Sequence, residues 1–154
     1  MVAPWRGPRA LDAHVTLVAP FAVAEATLDQ LGERLASGLR GEPAFEVTFR
    51  TVGWFGHRVV FAAPDDARPF EHLARVLEAA IIHHATAGVP TPFVPHMTIA
   101  AHRRPDELAR AAGVAAGELP LAARAREVDL FVRDTSADSW RLHARCQLGS
   151  RPGD

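Results

Sequence analysis

Two short segments of this chain follow one pattern: His14-Val15-Thr16-Leu17 and His96-Met97-Thr98-Ile99. In an extended strand, residues two apart share a face. Each segment therefore presents an imidazole beside a hydroxyl, with an apolar pair behind them. Two imidazoles and two hydroxyls gathered around one point suit the chemistry of a phosphodiester. One imidazole removes the proton of the attacking water or hydroxyl, and the other donates a proton to the leaving oxygen. The ordinary histidine pKa of about 6.5 lets one ring be neutral while the other is charged near neutral pH. The threonine hydroxyls donate to the non-bridging phosphate oxygens, where charge gathers or shifts in the transition state. That set requires neither a metal nor an organic cofactor, so none is expected. A single His-x-Thr is weak evidence. Two that are both flanked by apolar residues, both at the first strand of a repeated unit, favour catalysis over structure.

The surrounding pattern is what must position these residues. His14 to Val18 reads as a short strand ended by Pro20. Thr27-Leu28-Asp29-Gln30 has capping-box form, and Leu28, Leu31, Leu35 and Leu39 follow at helical spacing up to Gly41. Phe45, Val47 and Phe49 alternate with polar residues as in a half-buried strand. A turn is expected around Gly53 to Gly56, then a strand over Arg58 to Ala63. A second helix starts near Pro69 on the stripe Phe70, Leu73, Leu77, Ala80 and Ile81 and ends toward Gly88. The order then repeats: a strand over His96 to Ala100, an alanine-rich helix from Pro105, and strands over Glu127 to Arg133 and Trp140 to Leu148.

The repeat spacing is nearly constant. His14 maps onto His96 at 82 residues, and Glu46-Val47 onto Glu127-Val128 at 81. The expected fold is α+β: a single bilobal domain over 1–154, with internally duplicated β-α-β-β lobes and antiparallel sheets around a central cleft. Lobe one covers about 11–64, a connecting helix about 69–88, and lobe two about 95–148.

Composition narrows the function. All 17 basic residues are arginine, yet the formal net charge is −1. No global positive field exists to hold long double-stranded nucleic acid by counterion release. A small or terminal phosphate, on a nucleotide or an RNA end, fits this balance. Cys146, the only cysteine, excludes an intrachain disulfide and reads as a buried, inert thiol. Met1 to Pro8 has no apolar core of a signal peptide, and no apolar run approaches the ~18 residues of a membrane span. A cytoplasmic monomer without a membrane partner is the expectation.

With the two motifs in hand, the sequence resembles the two-histidine (2H) phosphoesterase superfamily, in its 2′-5′ RNA ligase-like branch. Both tetrapeptides match that family's His-hydrophobic-Ser/Thr-hydrophobic motif at every position. Similarity extends through Val18-Ala19-Pro20-Phe21, the Phe45 to Val60 strand pair and Pro95, or about Leu11 to Leu148. The resemblance implies a bilobal duplicated fold and hydrolysis or formation of 2′-linked or cyclic phosphoesters. It implies catalytic roles for His14, Thr16, His96 and Thr98.

Other residues are weaker candidates. Phe21, Trp54 and Phe55 are aromatic surfaces on which a base can stack, and Phe21 and Trp54 are taken as substrate-binding. Arg103, close behind the second motif, is a candidate phosphate clamp. Arg58, Arg133 and Arg141 read as solvated strand charges. His83 and His84 fit the last turn of a helix better than a metal site. His57, His72, His102 and His143 have no ligand spacing among them, and His102 alone is close enough to the second motif to suggest cleft contacts. Two alternatives stand beside the enzyme: a non-catalytic module that binds a nucleotide or RNA end in the same cleft, and a metal-dependent hydrolase. The second lacks paired acidic ligands and any His-x-x-x-His or Cys-x-x-Cys spacing.

Overall fold

The structure is a computed structural model and describes residues 12–81, 92–134 and 139–149. The expected end of the second helix at Gly88, with His83 and His84, lies outside the described residues, as does the start of the chain.

Helix α1 (Leu28–Gly38) carries Leu28, Leu31 and Leu35 on its buried face. The expected capping box does not form. A short 3₁₀ turn, Glu25–Thr27, precedes the helix, and the Thr27 hydroxyl donates back to the Ala24 carbonyl at 2.7 Å instead of capping forward. Gly41, just past the helix, takes φ 86°, a left-handed conformation that glycine adopts without steric cost. Strand β1 (Phe45–Phe55) runs further than its alternating pattern suggests, and β2 (Val59–Pro64) returns antiparallel to it. Gly53, expected at a turn, lies inside β1 opposite Phe61. The turn is made around Gly56, at φ 54°. Helix α2 (Arg68–Ile81) buries Phe70, Leu73, Ala74, Leu77 and Ile81.

Beyond it come β3 (Met97–Ala101), α3 (Pro105–Glu118), β4 (Leu121–Ala125), β5 (Glu127–Val132) and β6 (Arg141–Gln147). Strand β4 has no counterpart in the expected order. Its sequence, Leu-Ala-Ala-Arg-Ala, is mostly exposed and lacks any two-residue alternation by which to read it. Pro105 opens α3, where a missing N–H costs nothing, and the Glu107 carboxylate accepts from the Arg104 N–H at 3.1 Å.

The result is a mixed α+β fold with antiparallel sheets. One sheet has the order β3-β2-β1-β4, the other pairs β5 with β6. The sheets do not follow the two halves of the chain. Strands β3 and β4 both come after α2, yet both join the sheet of the β1–β2 hairpin. The expected first strand is reduced to one antiparallel bridge, Val15 with Met97, because only Val15 meets a partner backbone.

Two clusters make the core. Leu31, Leu35 and Leu39 meet Leu73, Leu77 and Ile81 of α2 and Cys146 and Leu148 at the end of β6. The two helices approach at small residues: a Cβ on Gly38 would lie 3.4 Å from Ala80 Cβ. The second cluster is Val47, Phe49, Ala62 and Phe70. Val15, Leu17, Met97 and Ile99, the apolar halves of both motifs, pack against it. Burial pushes the Cys146 thiol pKa up, as suits an inert packing group.

Candidate functional site

The bridge between Val15 and Met97 determines the geometry of the site. Antiparallel pairing at that point sets His14 beside Thr98 and Thr16 beside His96. Residues directly opposed in such a pair stand about 4.5–5.5 Å apart at Cα. Since Val15 and Met97 turn toward the Val47–Phe70 cluster, the alternation of an extended chain turns all four polar side chains to the other face. His14, Thr16 and Thr98 are exposed there and His96 is half-buried. Across this bridge each histidine is in register with the other motif's threonine.

The two imidazoles are held alike. His14 Nδ1 lies 2.7 Å from the carbonyl oxygen of Asp12. His96 Nδ1 lies 2.7 Å from the carbonyl oxygen of Val94. In both cases the ring reaches the residue two positions back. A carbonyl only accepts, so Nδ1 must carry the hydrogen in each ring. This assigns the tautomer and leaves the protonation state open, since the neutral Nδ1–H imidazole and the imidazolium both make the bond. Nε2 is then a bare lone pair in one state and an acid in the other, which is what a reversible proton carrier requires.

The surroundings of the histidines differ. The Phe55 ring meets His96 edge-on, with centroids 4.8 Å apart and planes at 81°, and Phe61 lies 5.3 Å away. Phe55 and Phe61 stack on each other at 4.3 Å. Among the described residues no aromatic ring lies against His14.

The remaining candidates separate accordingly. Phe21 is half-buried and packs against the α1–α2 core cluster. Trp54 is exposed, but it pairs with Val60, whereas Phe55 pairs with Val59. Adjacent strand residues point to opposite faces, so the Trp54 side chain leaves the face on which Phe55 meets His96. Arg103 is half-buried beyond the end of β3, after His102, whose φ of 53° turns the chain at that point. Arg133 stacks over Trp140 at 5.0 Å. His72 and His143 pair with Glu42 and Asp29, not with a motif residue. A further His-x-Thr triplet, His84-Ala85-Thr86, lies outside the described residues.

Phe55 and Phe61 are the site neighbours that sequence reading undervalued. The available signal was Gly53 two residues before Phe55, in a hairpin whose register sets Gly53 against Phe61. A concavity of about 710 Å³ at the β1–β4 side, around Phe45, His72 and Leu73, contains no motif residue. Its charged groups are engaged with one another, as in Asp66 with Arg68 and Glu46 with Arg124. Among the described residues no three His, Cys, Asp or Glu side chains are grouped to hold a metal ion. Nor is any described helix long and apolar enough to cross a membrane.

A family model described as the 2′-5′ RNA ligase superfamily matches residues 6–137. The chain belongs to this superfamily. Solved structures share its fold. One is a protein of Thermus thermophilus, TT0787, with TM-score 0.61, 21% identity and 90% of this chain against 79% of that one. A crystal structure titled phosphoesterase has TM-score 0.60 and 20% identity, over 91% and 78% of the two chains. Escherichia coli LigT, in complex with 3′-AMP, has TM-score 0.57 and 19% identity, over 89% and 77%. None of the curated protein sequences matches the chain at a significant level.

Proposed function

We propose that this superfamily member is a metal-independent phosphoesterase acting on 2′,3′-cyclic or 2′-5′ phosphodiester groups of nucleotides or RNA ends. The observation that carries this reading is the matched tethering of the motif histidines. Two rings on adjoining segments each have Nδ1 committed to a carbonyl, which leaves two Nε2 atoms for proton transfer.

In hydrolysis of a cyclic phosphate, the Nε2 lone pair of one neutral histidine takes a proton from water as the water oxygen bonds to phosphorus. The Nε2–H of the other, charged histidine protonates the 2′ or 3′ oxygen as its bond to phosphorus breaks. The pair ends with its protons exchanged, and the product is a phosphomonoester. Ligation is the same ring opening with a sugar hydroxyl in place of water: its oxygen bonds to phosphorus, the ring oxygen leaves protonated, and the product is a phosphodiester, whose cleavage is that path reversed. Thr16 and Thr98 donate to the non-bridging oxygens, where hydrogen bonds strengthen with developing charge. Arg103 is the nearest guanidinium in sequence to the second motif and is offered as a further phosphate contact. The 3′-AMP held by Escherichia coli LigT supports a nucleotide as the ligand class.

The test is a panel of nucleoside 2′,3′-cyclic phosphates, 2′-5′ dinucleotides and RNA with cyclic phosphate ends, assayed in excess chelator. Turnover of at least one class with chelator present is expected. Turnover that appears only on adding a divalent metal would overturn the reading.

A further inference from the structure

The two histidines are built alike at Nδ1 but not around the ring, and the difference is on one side only. His96 is half-buried and adjoins two phenylalanines, whereas His14 is exposed and, among the described residues, adjoins none. We propose that Phe55, held by Phe61 over Gly53, is a positioning residue that orients the His96 imidazole for proton transfer. This rests on the two-histidine reading above.

The observations form a chain of contacts. Gly53 and Phe61 are opposed in the β1–β2 ladder. A Cβ at position 53 would stand 2.4 Å from both Cε2 and Cζ of Phe61, so the Phe61 ring lies over the bare glycine backbone. Any larger residue there must displace the ring. Phe61 in turn stacks on Phe55 at 4.3 Å, and the Phe55 ring meets His96 at 81°. The perpendicular contact bears on one side of the imidazole, while the Val94 carbonyl holds its Nδ1. A hydrogen bond alone leaves a ring free to swing about its axis. A ring packed against it removes that freedom. Phe55 itself is 38% exposed, so its burial explains little of why an aromatic residue stands there. Its contact with His96 explains more.

The consequence is a division of constraint. His96 is held by a carbonyl and a ring wall, His14 by a carbonyl alone. Loss of Phe55 should therefore affect the chemical step through one histidine, without weakening the phosphate contacts of Thr16 and Thr98. A misplacement of about 1 Å at a reacting group can cost ~10²-fold.

The test compares Phe55→Ala, Phe55→Tyr, Gly53→Ala and His96→Ala on adenosine 2′,3′-cyclic phosphate, with melting curves to confirm folding. Phe55→Ala should lower kcat by ~10- to 100-fold with KM changed less than about threefold. Phe55→Tyr, which keeps the ring, should restore kcat to near the wild-type value. Gly53→Ala, acting from beneath through Phe61, should lower kcat in the same sense. In the pH profile, Phe55→Ala should alter only the limb that His96→Ala removes. Wild-type kcat in Phe55→Ala, a rise in KM with kcat unchanged, or a failure of Tyr to rescue would each overturn the proposal. If His96→Ala itself keeps turnover, the two-histidine mechanism has failed, and the positioning role fails with it. An inactive His96→Ala beside a fully active Phe55→Ala refutes the positioning role alone. Should Phe55→Ala not fold, the contrast between Gly53→Ala and Phe55→Tyr decides the matter.

Discussion

The tautomer of each histidine is open to direct measurement, and the structure sorts four of them into two classes. His14 and His96 reach carbonyl oxygens through Nδ1, at 2.7 Å in both cases. His72 reaches the Glu42 carboxylate through Nε2, also at 2.7 Å, and His143 faces Asp29 through Nε2 at 3.4 Å. The perturbation is a rise in pH until all four rings are neutral, when each must choose one nitrogen for its hydrogen. A carbonyl hydrogen bond contributes a net ~0.5–1.5 kcal/mol, and since 1.4 kcal/mol is a factor of ten, the Nδ1–H form gains about 2- to 13-fold. For His72 the acceptor is charged, a bond worth roughly 1.5–3 kcal/mol, and the Nε2–H form gains at least tenfold. At 3.4 Å the His143 contact is too long for a strong bias, so that ring serves as the intermediate case. Long-range nitrogen–proton correlation spectra of ring-labelled protein read both nitrogens of every histidine. His14 and His96 should show a protonated Nδ1 and a bare Nε2, with the reverse at His72. Nε2–H as the dominant form at either motif histidine would remove the proton-transfer atom from the site and refute the reasoning.

Other outcomes follow from single contacts. Thr16→Ala or Thr98→Ala removes a hydrogen bond to a charged group, worth ~1.5–3 kcal/mol, so steady-state turnover should fall about 10- to 150-fold. Asp66 accepts from the Arg68 N–H at 3.0 Å and from its guanidinium, ahead of α2, and these contacts hold its pKa down to about 2 from 3.8. A depressed carboxyl stabilises the fold above its unfolded value and loses that contribution as pH falls toward 2. Asp66→Asn should therefore lower the melting temperature near neutral pH and remove part of the acid dependence below about pH 4, as thermal scans across pH will show. Equal acid sensitivity in wild type and variant would contradict that assignment.

Much of this was legible from pattern alone. The helical stripes of α1 and α2 and the alternation of Phe45, Val47 and Phe49 come from burial on one face, and burial leaves a period in the sequence. The motifs were legible for the same reason, since Val15, Leu17, Met97 and Ile99 are their half-buried apolar sides, packed against the core. What escaped depends on pairing across long separations. Strand β4 is exposed and unpatterned, and exists because it pairs with β1. Trp54 and Phe55 read alike as stacking surfaces because aromatic type does not encode direction. Only the register of β1 on β2 shows that Phe55 shares the face of His96 while Trp54 faces away. The Asp12 and Val94 carbonyls were equally hidden, because a backbone acceptor carries no residue signature.

The central claim is that His14 and His96 act as one proton-transfer unit. Its most direct test is turnover of a nucleoside 2′,3′-cyclic phosphate, in excess chelator, by His14→Ala, His96→Ala and the double variant, each confirmed folded. Each single variant should lose at least ~10²–10⁴-fold in kcat, the usual contribution of one general acid or base. The double variant should be little worse than either, because groups that act as a unit do not lose additively. Near-wild-type turnover in both single variants, or a double loss equal to the product of the two, would contradict the account.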